Sequence, residues 1–139
     1  MFSRRRVLFL VLLAGSFVAV AVLLFARGDN DTPSEGDVRT RLVGLPVALC
    51  DFETLVSDGK FGPAKNLYWD RLHGDTHLLA VTVGKRDKSG EARLLEAHFR
   101  VERGLSTLSP SLKTEVPVFT SLAHRSLVEL QVVGAKLPC

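Results

Sequence analysis

Two cysteines, one tryptophan and one tyrosine are spread over 139 residues, and several signatures of chemistry are missing altogether. There is no Cys-x-x-Cys, which removes the adjacent dithiol of a redox centre. There is no Gly-x-Ser-x-Gly, so the strained turn that presents a hydrolase serine has no counterpart. No glycine-rich run suits a phosphate loop, because the glycines are scattered among turns. No segment repeats, which excludes stacked-repeat architectures. Positive charge is in excess only until the chain is divided. Four of the 18 Lys/Arg and none of the 15 Asp/Glu fall in residues 1–27, leaving 14 basic against 15 acidic groups in the remainder. The pI near 9.1 belongs to the N-terminus. An interspersed, near-neutral surface offers no footprint for nucleic acid.

What is present, first of all, is a run without charge. Residues 7–26 carry a single polar side chain, Ser16, and follow Arg4, Arg5 and Arg6. Twenty helical residues span about 30 Å, the thickness of a bilayer core. The run exceeds the roughly 7–15 apolar residues of a signal peptide. At its exit, Leu24-Phe25-Ala26 puts a bulky leucine where a peptidase wants a small residue. A retained signal-anchor is expected, with cleavage as the alternative. The arginine triplet places the N-terminus in the cytoplasm. Three parts result: residues 1–27 as arginine cluster and transmembrane helix, residues 28–37 as a flexible acidic tether, and residues 38–139 as one periplasmic or extracellular domain. About 102 residues suffice for a modest core.

In such a compartment Cys50 and Cys139 are expected to form a disulfide. The bridge would close a loop of about 90 residues and stabilise the fold by roughly 4–5 kcal/mol in the chain-entropy model.

Alternation suggests strands through the domain. Residues 42–49 read as a first strand with Pro46 at an edge or bend. In residues 76–85, Leu79, Val81 and Val83 share a face. Residues 91–103 satisfy both patterns: as a strand, Leu95, Ala97, Phe99 and Val101 point inward; as a helix, strong formers run up to a cap at Gly104. The alternation favours the strand. With short strands also expected at 116–122 and 127–134, the fold class is a small, mainly antiparallel β domain, sandwich or barrel-like, with α+β open.

Candidate sites are few. In an extended segment His73, Asp75 and His77 would face one way and could supply metal ligands; a turn at Gly74-Asp75 is the plainer reading, and no metal or cofactor is expected. His98 and His124 read as isolated surface histidines. Tyr68-Trp69 is the one adjacent aromatic pair, either an interaction hot spot or a core centrepiece. No residues form a recognisable catalytic set.

Residues 42–46 (Leu-Val-Gly-Leu-Pro), 51–55 (Asp-Phe-Glu-Thr-Leu), 78–83 and Val116-Pro117 follow the anchor in an order that resembles membrane-anchored thioredoxin-like proteins of cytochrome c maturation. The resemblance implies a cis-proline at Pro117, a closing hairpin over 118–134 and a helix over 91–103. The family's Trp-Cys-x-x-Cys is missing, so the implied protein is redox-inactive. The leading expectation is a non-enzymatic accessory or assembly subunit whose partners are the lipid bilayer and other membrane proteins; the alternatives are that redox-inactive relative or a metal- or ligand-binding domain.

Overall fold

The computed structural model describes residues 33–135 and 139, and Ser34–Cys139 form one compact unit. About 82% of the described residues are helical and none lies in a strand. The expected antiparallel β domain is therefore corrected to an all-α one. The expected transmembrane helix, residues 7–26, lies outside the described residues. Membrane character finds no support within them, since no helix there is long and apolar enough to cross a bilayer.

Helix α1, Glu35–Arg41, starts inside the stretch read as a tether. Ser34 explains why: its hydroxyl accepts from the Asp37 amide and the Asp37 carboxylate accepts from the Ser34 amide, a reciprocal capping box. Acidic Glu35 and Asp37 then occupy the first turn, with Arg39 and Arg41 in the last, as the helix dipole favours. A 3-10 turn, Leu42–Gly44, leads into α2, Leu45–Ser57. Pro46 sits in the first turn of α2, where its missing N–H costs nothing. The continuous apolar run that suggested a strand is a helix face: Leu45, Leu49, Phe52 and Val56 are buried at helical spacing, whereas Val47 is 66% exposed.

Next come α3, Phe61–Leu67, a π turn, Tyr68–Leu72, and α4, His73–Gly84. Leu79 and Val83, four residues apart, are buried together with Thr76 and Ala80. Val81, the residue a strand would bury beside them, is exposed. Helix α5, Lys88–Thr107, settles the ambiguous segment: Leu94, Ala97, His98, Val101, Gly104 and Leu105 form one buried stripe, and Phe99 points outward. Gly104 is not the cap. A Cβ there would come within 2.7 Å of the Leu112 side chain, so the glycine permits a close helix contact. The cap is Leu108, with a left-handed φ of 49°.

Helix α6, Leu112–Glu129, contains Pro117 in its second turn and continues beyond it. The expected cis-proline and hairpin are thus replaced by helix. Around the core, α6 packs against α2 and α5, and α5 against α4. The π turn closes the ring between α4 and α2. After α6 the chain buries Leu130 and Val132 and ends at Cys139, which is bonded to Cys50 on α2.

Candidate metal centre

Helical spacing brings His98 and Glu102, which a strand would have sent to solvent, to the same place as His73 and His77. His73 and His77 stand four residues apart on α4, and His98 and Glu102 four residues apart on the adjoining α5, so each pair shares a face. One ligand atom from each of the four lies within 4.8 Å of the others. Nδ1 of His73 is 2.8 Å from Glu102 Oε1. Nε2 of His98 is 3.3 Å from that same oxygen and 3.2 Å from Nε2 of His77. Asp75, the third ligand suggested by the sequence, is not in the cluster; it faces Arg41 at 3.4 Å, tying α1 to α4.

The Tyr68-Trp69 pair is divided by the π turn, a wide helical turn common at functional sites. Tyr68 is fully buried between Phe52 and Phe119, and Trp69 is 46% exposed. The indole stacks beside His73, with ring centroids 4.7 Å apart, and so lies at the edge of the cluster. The Tyr68 hydroxyl reaches inward to His98 Nδ1 at 2.7 Å.

That contact decides what His98 can do. If Nδ1 carries the proton and donates to the tyrosine oxygen, the lone pair of Nε2 points toward His77 and Glu102. This is how an outer-shell partner sets the tautomer of a metal-binding histidine. Burial, with help from His77 and His73, lowers the His98 pKa to about 4, so the ring is neutral at neutral pH. Burial and the adjacent Glu102 carboxylate push the Tyr68 hydroxyl above its ordinary range, so it stays protonated.

Two atoms of the cluster are orphaned. His73 Nδ1 and Glu102 Oε1 are buried and, among the described residues, make no hydrogen bond of acceptable geometry, close as they are to each other. A buried acceptor without a donor costs roughly 1–3 kcal/mol, and more when charged. A cation at the point of convergence would satisfy both. Zinc held by nitrogen and oxygen at about 2.0–2.2 Å keeps its ligands roughly 3.3–3.6 Å apart. Two of the three close contacts are at or near that spacing, and the shortest needs only a small separation. Three imidazoles and one carboxylate are a borderline donor set suited to Zn²⁺ and its first-row neighbours.

Sequence reasoning missed His98 and Glu102, which an outward-facing strand would have exposed. The available signal was His-x3-His followed 21 residues later by His-x3-Glu, which has meaning only on helices. A second donor group comprises Cys50, His124 and Cys139, where His124 is buried rather than on the surface.

Compared with protein families, curated proteins and solved structures, the chain shows no match.

Proposed function

We propose that this chain is a membrane-attached accessory protein whose folded domain holds one divalent first-row transition-metal ion, with Zn²⁺ the foremost. The observation that carries the metal is the convergence of His73, His77, His98 and Glu102, two of whose buried atoms have no hydrogen-bond partner among the described residues. His98 is the innermost ligand, with Tyr68 as its positioning residue. His73 and His77, half-buried on α4, complete the entrance side beneath Trp69. Attachment to the membrane, with the domain outside the cytoplasm, rests on sequence alone: the apolar residues 7–26 behind Arg4, Arg5 and Arg6. The half-exposed Trp69 beside the site is the residue a partner subunit would cover.

The test is a zinc titration of the full chain in mild detergent, after stripping with a chelator and against a chromophoric competitor. One equivalent is expected to bind, and zinc at a hundred times its Kd should add about 2.7 kcal/mol of stability. His77→Ala, at a half-exposed position, should bind at least tenfold more weakly with an unchanged circular dichroism spectrum. Tyr68→Phe should weaken binding about 10–100-fold through the loss of the His98 partner. A stripped chain that gains no stability from Zn²⁺, Co²⁺, Ni²⁺, Cu²⁺ or Mn²⁺ would refute the metal. Migration as a bare monomer when extracted from its native membrane would refute the accessory role.

A further inference from the structure

We propose that reduction of the Cys50–Cys139 bridge by a thiol converts Cys50, His124 and Cys139 into a second metal site, one that takes a thiolate-preferring ion such as Zn²⁺ or Cu⁺. The three donors come from α2, α6 and the last residue of the chain. Nε2 of His124 lies 3.1 Å from Cys139 Sγ and 3.6 Å from Cys50 Sγ, and all three ligand atoms lie within 4.8 Å of one another. A zinc ion with Zn–S about 2.3 Å and Zn–N about 2.0–2.1 Å holds its donors roughly 3.5–3.8 Å apart. The imidazole is therefore within a few tenths of an ångström of its place. Only the two sulfurs must part, and Cys139 is the more exposed of the pair.

His124 points to a metal rather than to a bare thiol pair. It is 2% exposed. Its Nε2 faces the two sulfurs, which are weak hydrogen-bond acceptors. Its Nδ1 is buried and has no hydrogen-bond partner among the described residues. An imidazole buried on those terms is poorly compensated for its lost water. While the bridge is intact the sulfurs are spent on each other and the site does not exist.

The conversion balances with two molecules of a thiol, RSH. One thiolate attacks the exposed Cys139 sulfur, the disulfide bond breaks, and its electron pair leaves on Cys50. A second RSH, as thiolate, displaces Cys139 from the mixed disulfide and departs as RSSR. Two electrons and two protons have then reached the protein, and metal binding releases both thiol protons. The half-buried Cys50 is the leaving group that forms beside His124 Nε2.

The experiment is a Co²⁺ titration of the full chain in detergent, oxidised and phosphine-reduced. The histidine–glutamate cluster contains no sulfur, so any thiolate-to-cobalt charge-transfer band reports the second site alone. The band is expected only in the reduced chain, at one equivalent beyond that taken by the oxidised chain. Cys139→Ser should abolish it, and His124→Gln should weaken the associated affinity at least tenfold. Far-ultraviolet circular dichroism of each reduced protein checks the fold. A reduced, helical chain without the band overturns the proposal. So does a band that His124→Gln leaves unchanged, and so does a reduced chain that loses its helices and does not regain them with cobalt. The oxidised titration reads the first site independently, so the two proposals fail separately.

Discussion

The two histidine clusters of this domain are built from the chain in opposite ways. The cluster at His73, His77, His98 and Glu102 comes from two consecutive helices, each contributing a pair one turn apart. Helical periodicity puts each half on one face, and the packing of α4 against α5 brings the halves together. The cluster at Cys50, His124 and Cys139 draws on α2, α6 and the C-terminus, with 89 residues between its sulfurs. Nothing local prepares it, and a covalent bond holds it. The first cluster is open to an ion as folded; the second must lose its bond before it can accept one. The comparison teaches that donor chemistry alone does not define a site: what matters is whether the backbone or a bond brings the donors together.

The most forceful way to test this difference is to cut the bond. Replacing both Cys50 and Cys139 by serine should cost about 4–5 kcal/mol, from the loop entropy of a closure near 90 residues. In a domain of this size that lowers Tm by roughly 20–30 °C. Denaturant unfolding with and without the bridge measures the loss. Zinc affinity of the first cluster, measured well below the new Tm, should stay within about threefold of the parent. A collapse of that affinity would show that the two regions are coupled.

Acid probes the first cluster from the other side. In the metal-free domain the folded pKa of His98 is about 4, whereas an unfolded histidine titrates near 6.5. Between those values the unfolded chain binds a proton that the folded chain refuses, so stability falls as pH falls. It is fully present above about pH 6.5 and largely lost by pH 4. The gap of about 2.5 units corresponds to about 3 kcal/mol. Denaturation of the chelator-treated chain across that range should show the decline. His98→Gln, less stable at neutral pH, should flatten it. A parent profile that stays level from pH 6.5 to 4 would mean that His98 is not buried in neutral form.

How much of this is legible in the sequence depends on one choice, the period. The bridge is legible because two cysteines allow only one intramolecular pairing, whatever the fold. His73 and His77 stand out in the sequence, but on the wrong geometry. An extended chain aligns them through Asp75, and a helix aligns them through a single turn and turns Asp75 toward Arg41. His98 and Glu102 are lost with the strand reading of residues 91–103, since alternation sends both to solvent. The physical reason is that short runs of Leu, Val and Ala with interspersed polar residues fit both periods. The choice is then made by packing across α4, α5 and α6, which no local window contains. The capping box at Ser34 and Asp37 is a local helix signal, hidden by its place in an acidic, apolar-poor stretch. Pro117 misleads differently: proline inside a helix forfeits one hydrogen bond, yet the second turn of an 18-residue helix tolerates it.

Val81 carries the smallest expected effect and separates the two periods most sharply. The strand reading puts it on the same face as Leu79 and Val83, in the core. The helix places it two turns along the stripe of His73 and His77, beyond the point where that stripe reaches the surface, and it is 55% exposed. Truncation to alanine removes two methyl groups. From a packed core that costs a few kcal/mol. From an exposed helical position it should change stability by no more than about 0.5 kcal/mol, and in the stabilising direction, because alanine is the better helix former. Leu79→Ala, as the buried control two residues away, should cost about 2–5 kcal/mol. The contrast can be read from two denaturation curves with no metal present. If Val81→Ala proved as damaging as Leu79→Ala, α4 would not present the face described here, and His73 and His77 would no longer share a side with each other or with His98.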